Sequence, residues 1–278
     1  MKRKVDTMVQ GFRTTDGAGV KLVRVLGIKT TDKYDPILML DSFDSEKPED
    51  YIAGFPNHPH RGIETISYLS SGQMTHKDSM GNEDTIKDGE IQWMTAGSGI
   101  IHSESLPPSK KLLGVQLWLN LPKDKKMVKP NYHAVKYDEI EEIEIPGGKL
   151  RLLAGKYLDH QGYKSEYLPL DYYDIHLAQG EKFKIQVEEN KSITLFTLVG
   201  SIKVEGQEVE EKTAAKLTKG TELEIEAMDD SQILFISSDE LKEPISWGGP
   251  IVMNTKEELD LAFEELKTGK FIKEEVDY

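Results

Sequence analysis

The sequence predicts an all-β protein of two barrel or sandwich domains with one helix at the C-terminal end, and three observations carry that reading. Short apolar or alternating runs bounded by Gly, Pro, Asn and Asp recur at residues 63–69, 90–94, 113–119, 149–153, 171–177 and 193–199. Before residue 240 no stretch of 12 or more residues keeps a helical apolar period, which removes alternating βαβ architectures. Beyond Pro250 the period changes to a helical one.

In chain order, the runs at 63–69, 90–94 and 113–119 build a first strand-dense half. Residues 123–144, rich in Lys, Pro and Glu, then separate it from the half holding the runs at 149–153, 171–177 and 193–199. A 278-residue chain exceeds the roughly 100 to 200 residues of one ordinary domain, so two domains are expected, divided as 1–135 and 136–278. The halves echo one another: residues 68–74 and 197–202 both read as strand, glycine-containing turn and strand, which suggests a duplicated unit. Thr255 with Glu258 forms a capping-box signature, Leu259, Ala262, Phe263 and Leu266 share one helical face, and Gly269 ends the helix.

Composition narrows the function classes. With 35 basic and 49 acidic residues the formal charge is −14, and no basic run is long enough to offset it, so direct nucleic-acid binding is not expected. The chain has no cysteine, which removes disulfides, thiolate metal sites and cysteine nucleophiles and leaves His, Asp and Glu to hold any metal. No signal-peptide core follows the early Lys and Arg, and no apolar run reaches the roughly 18 residues of a membrane span. A cytoplasmic protein without membrane contact is the expectation.

Two short patterns concentrate the metal-ligating residue types: His58-Pro59-His60 with Glu64 following, and His102-Ser103-Glu104. Side chains alternate along a strand, so His58 and His60 share a face, as do His102 and Glu104. Pro59 cannot donate a ladder hydrogen bond and places its strand at a start or sheet edge. Two such strands brought together would give three imidazoles and a carboxylate converging on one point, a set suited to iron, manganese, nickel, copper or zinc. Glu64 falls on the same side if the strand is regular, either as a ligand or as an acceptor for an imidazole N–H. His76, His133, His160 and His176 read as core or surface histidines without a chemical role.

The order H-x-H-x3-E, then Gly72, then His102 after a Gly-rich turn resembles the two cupin motifs. The interval from Glu64 to Gly72 and the segment 95–102 depart from the generic form, and both departures match the pirin family. Residues 55–65 (FPNHPHRGIET), 92–97 (QWMTAG) and 99–104 (GIIHSE) look like the pirin signature, and the likeness extends from about Asp35-Pro36 through Asn120-Leu121 and returns at residues 249–254. The resemblance implies a bicupin of two jelly-roll barrels, with 1–135 the metal-binding domain. It implies one mononuclear divalent metal, Fe(II) first, with Ni, Mn, Cu or Zn as alternatives, held by His58, His60, His102 and Glu104. Glu64 then stands behind the ligands. Setting Gly200 against Gly72 puts Gln186, Glu188 and Ser192 where His58, His60 and Glu64 stand, so the C-terminal domain is expected to lack a comparable site.

Several pirins resemble quercetin 2,3-dioxygenases, which open the central ring of a flavonol with O2 and release carbon monoxide. That resemblance implies a flat aromatic substrate and O2, with Glu104 as general base for the 3-hydroxyl proton. Phe43, Phe55, Tyr68 and Trp93 are candidate walls, although core packing is the better reading of each. The alternative is an iron-dependent, redox-sensing regulator acting through a protein partner. A monomer is expected in either case.

Overall fold

The computed structural model describes residues 1–274 of the 278-residue chain. Strands dominate, as the short-run rhythm requires, and the one long helix is Lys256–Lys267. The sequence reading missed a single helical turn at Thr31–Tyr34, which is too short to leave a period.

The described chain falls into two compact units, neither continuous in sequence. One comprises Met1–Phe12, Arg24–Pro36 and Asp138–Glu240; the other comprises Arg13–Val23, Ile37–Tyr137 and the chain from Leu241 on. The division at 135/136 therefore needs correction at both ends. Val5–Gln10 pairs antiparallel with Thr213–Leu217 and so belongs with the C-terminal strands. The segment Ile251–Met253 lies on the turn after His60, where Val252 N–H donates to the Arg61 carbonyl at 3.1 Å, so the terminal helix belongs with the N-terminal strands.

The unit built on Asp138–Glu240 has a seven-stranded sheet in the order Val5–Gln10, Thr213–Leu217, Ser192–Val199, Ser231–Ser238, Leu170–Leu177, Gly148–Ala154, Glu142–Ile145. A four-stranded sheet covers it, in the order Lys182–Gln186, Glu222–Ala227, Ile202–Val204, Gln207–Val209. Their inner faces supply one core, with Leu152, Tyr173, Phe183, Leu195 and Phe235 at its centre. Each such side chain contributes roughly 1.5–3 kcal/mol on burial.

The unit built on Ile37–Tyr137 repeats the plan. Its seven-stranded sheet runs Asn131–Val135, Ile91–Thr95, Ile63–Ser71, Leu112–Asn120, Ile37–Ser45, Val20–Leu26, Phe12–Asp16. Its four-stranded sheet runs Phe55–His60, Ile100–Ser105, Met74–Asp78, Glu83–Ile86. Two jelly-roll units of seven and four strands bear out the duplicated barrel. At the edge of the four-stranded sheet lies Phe55–His60, the place Pro59 requires. Gly62, at φ +77°, turns the chain from this sheet into the other; a Cβ there would lie 2.1 Å from the Val252 carbonyl oxygen.

The terminal helix forms as its sequence dictates. The Thr255 side chain accepts from Glu258 N–H at 3.2 Å, and the Glu258 carboxylate accepts from Thr255 N–H at 3.0 Å. Its apolar face packs Ala262 against Ile251, Met253 and Phe271, flanked by Leu259, Phe263 and Leu266. Arg61 ties this region to the barrel from a buried position: Nε donates to the Ser98 carbonyl, Nη1 to the Glu265 carboxylate and Nη2 to the Phe271 carbonyl, at 2.7, 2.8 and 2.8 Å.

Candidate metal centre

Antiparallel pairing of Phe55–His60 with Ile100–Ser105 sets His102 opposite His58 and Ile100 opposite His60. Three imidazoles meet there, with ring centroids 4.3 Å (His58 to His102), 4.8 Å (His58 to His60) and 5.1 Å (His60 to His102) apart. One nitrogen from each ring can be chosen so that all three lie within 4.8 Å of one another. His60 and His102 are buried, and His58 is half-buried at the edge.

The hydrogen bonds decide which nitrogens face the common point. His58 Nδ1 lies 2.8 Å from the Pro56 carbonyl and His60 Nδ1 lies 2.9 Å from the Pro250 carbonyl. A carbonyl only accepts, so both Nδ1 atoms carry the proton and both Nε2 atoms present a lone pair. His102 Nδ1 is engaged with His76, and its Nε2 is buried with no hydrogen-bond partner. A buried imidazole nitrogen left in that state costs free energy unless something else takes its lone pair. That nitrogen, together with one from each of His58 and His60 within 4.8 Å, fits a transition-metal ion. Burial pushes the His60 pKa down to about 3, helped by His58 and opposed by the bond to Pro250. Burial, then His60, His58 and His76, push His102 well below the usual imidazole range. Both rings are thus neutral, the form that binds a metal.

The carboxylates are placed less simply. Glu104 points inward beside His102, as the strand alternation predicts. The ladder register shifts between these two residues, and Glu104 stands outside the three-histidine group. Its Oε1 accepts from the Gln92 and Gln116 amides, the latter at 3.1 Å, and Gln116 also donates to Oε2 at 3.0 Å. Trp118 Nε1 donates to Gln116 Oε1 at 3.3 Å and steadies that amide. The Gly62 turn breaks the regular strand on which Glu64 would have followed His60. Glu64 lies opposite Thr95 in the other sheet, and its Oε1 accepts from the Thr95 hydroxyl at 2.7 Å.

His76, expected to be a core histidine, is fully buried beside the three-histidine group, with Nδ1 3.3 Å from His102 Nδ1 and Nε2 2.8 Å from Asp78 Oδ2. Burial acts to raise the Asp78 pKa, but the bonds from His76, Asn82 and Met80 outweigh it and hold the carboxyl below its ordinary value. The aromatic candidates also resolve: Phe43, Tyr68 and Trp93 are core residues, and Phe55 packs on the core. The ring that meets the site is Trp118, edge-on to His60 at 4.8 Å, with Trp247 at 5.9 Å from it. Gln92 and Gln116 lie within the segments that carry the family resemblance, but residue type alone did not mark them as partners of Glu104.

A duplicated jelly roll with three clustered imidazoles in one copy defines a two-domain cupin with a histidine group that could hold a metal ion. Family models agree: residues 19–119 match Pirin, and residues 172–272 match the Pirin C-terminal cupin domain. The chain belongs to the pirin family. It is 37% identical to a putative quercetin 2,3-dioxygenase of Pseudomonas aeruginosa, over 96% of this chain and 97% of that protein. It is 32% identical to human pirin, over 96% of this chain and 93% of that one. The crystal structure of a quercetin 2,3-dioxygenase from Acinetobacter baumannii superposes with a TM-score of 0.89 at 34% identity, over 98% of this chain and 99% of that one. Among the described residues no helix is long and apolar enough to cross a membrane.

Proposed function

We propose that this chain is a mononuclear metal-dependent dioxygenase that cleaves quercetin or a related flavonol with O2 and releases carbon monoxide. The observation that carries the reading is the set of three imidazoles with one nitrogen each within 4.8 Å of the others, beside a buried carboxylate clamped by two amides. The names of the Pseudomonas and Acinetobacter proteins support the choice of reaction.

His58, His60 and His102 would hold the ion, with Glu104 as fourth ligand and Fe(II) as the metal, and Ni, Mn, Cu or Zn as substitutes. When bound there, a dication would favour the anion of an adjacent phenol-type hydroxyl and would couple the substrate electronically to O2. The chain's own residues do the rest. Swung off the ion, Glu104 would take the 3-hydroxyl proton on a carboxylate oxygen, which leaves the flavonol electron-rich. Gln92 and Gln116 orient that carboxylate, so the base is fixed before substrate arrives. Trp118 and Trp247 offer an apolar wall beside His60 for a flat ligand and exclude water there.

The test is oxygen uptake and carbon monoxide release by iron-reconstituted protein with quercetin. Wild type should turn over, and His102→Ala and Glu104→Gln should not. Full metal binding with quercetin untouched would remove the enzyme assignment and favour the redox-sensing regulator.

A further inference from the structure

Two nitrogens that face each other across 3.3 Å need one proton between them, and the wider network decides which nitrogen holds it. His76 Nε2 faces Asp78 Oδ2 at 2.8 Å. That carboxylate already accepts from Met80 N–H at 2.8 Å, Asn82 N–H at 3.1 Å and the Asn82 amide at 2.9 Å, so it is an acceptor only. His76 Nε2 therefore donates, and in the neutral ring Nδ1 is left as an acceptor. His102 Nδ1 must then donate to it, which empties His102 Nε2 of its proton.

We propose that His76 is a positioning residue for the metal centre: the chain Asp78–His76–His102 fixes the tautomer and ring angle of His102 so that its Nε2 lone pair faces the ion. The proposal rests on the metal-centre reading above and adds a residue to it. It has a geometric basis beyond the two hydrogen bonds. His76 and Asp78 both point inward from the strand Met74–Asp78, which pairs with Ile100–Ser105 so that Asp78 stands opposite His102 and His76 opposite Glu104. Tyr132 stacks on the other side of His76, centroids 4.1 Å apart and rings 11° from parallel, so the imidazole cannot swing away. The two other ligands receive their orientation from fixed backbone carbonyls, at Pro56 and Pro250. His102 has no such carbonyl; the His76–Asp78 pair takes its place. Outer partners of metal-bound imidazoles typically change affinity 10- to 100-fold when removed.

Zinc(II) is a suitable probe, since it is diamagnetic and binds imidazole nitrogen. Calorimetric titration of the full chain should give a Kd roughly 10- to 100-fold weaker in His76→Phe, which keeps the stack on Tyr132 and removes the acceptor. His76→Asn places an amide oxygen near the Nδ1 position and should recover most of the loss. Nitrogen-15 NMR of the metal-free protein gives a readout that packing alone would not move: His102 should be the Nδ1–H tautomer in wild type and in His76→Asn. Asp78→Asn can donate to His76 Nε2 and reverse the relay, so His102 should gain Nε2–H and lose affinity. Wild type with His102 mainly as Nε2–H, or His76→Phe binding zinc within twofold of wild type, overturns the proposal. Failure of wild type to bind zinc sinks the metal centre and this proposal together, whereas unchanged binding in His76→Phe sinks this proposal alone.

Discussion

Taking the metal-free protein from pH 7 to pH 5 should destabilise it by about 2 kcal/mol through His60 alone. The unfolded chain binds a proton at this residue near pH 6.5, and the folded chain does so only near pH 3 because the ring is buried. Between those values the unfolded state holds more protons, so acid favours unfolding. The contribution is fully present above about pH 6.5, fades as pH falls, and is exhausted below about pH 3. Integrating the two titrations from pH 7 to pH 5 gives the figure of about 2 kcal/mol. Other groups titrate over the same range, His102 among them with the same sign, so the measurement must be differential. Gln at position 60 has no titration and retains a donor for the Pro250 carbonyl. Equilibrium urea unfolding of chelator-treated wild type and His60→Gln, at both pH values, isolates the residue. The wild-type stability relative to the variant should fall by about 2 kcal/mol on acidification. A gap that stays constant to within about 0.5 kcal/mol would show that His60 is not held neutral by burial, and the argument for a preformed neutral ligand set would fail.

Three further outcomes are expected. A divalent ion supplied at about a hundred times its Kd should stabilise wild type by about 2.7 kcal/mol, reversibly with a chelator; an equal shift of melting temperature in His58→Ala/His102→Ala counts against these ligands. Arg61→Leu removes a buried guanidinium from three acceptors and should cost about 3–5 kcal/mol, with the helix Lys256–Lys267 becoming the first site of limited proteolysis; urea unfolding within about 1 kcal/mol of wild type would contradict that anchoring role. Thr255→Ala breaks the capping box and should cost about 1 kcal/mol in the same assay, whereas no change means the helix is held by its packing face alone.

What could be read in the sequence was what is written locally. Strand alternation placed His58 with His60 and His102 with Glu104 on inward faces, and Pro59 placed its strand at an edge. Thr255, Glu258 and the apolar face from Leu259 to Leu266 specified the helix. The exchange of chain ends between the units was not legible, because strand pairing between Val5–Gln10 and Thr213–Leu217 leaves no mark in either segment. The route from strand period to Glu64 is interrupted by the Gly62 turn, which carries the chain into the other sheet, where Glu64 is buried against Thr95. His76 had a usable signal: His76-Lys77-Asp78 repeats the one-residue spacing of the two recognised pairs. A carboxylate at that spacing from a histidine orients a ring as readily as it binds an ion.

The three imidazoles owe their tautomers to acceptors of very different sequence distance. Pro56 lies in the strand of His58 itself, His76 lies in the neighbouring strand, and Pro250 comes from the C-terminal segment. Only the first can form before the barrel closes. The His102 relay needs the pairing of Met74–Asp78 with Ile100–Ser105, and the His60 acceptor needs the C-terminal segment docked on the Arg61 turn. Any metal affinity of the three-histidine group would therefore be coupled to folding beyond the ligands themselves. The Arg61 contacts to Ser98, Glu265 and Phe271 bind the same C-terminal region that carries Pro250, so loosening them should release the His60 ring before it disturbs His58 or His102.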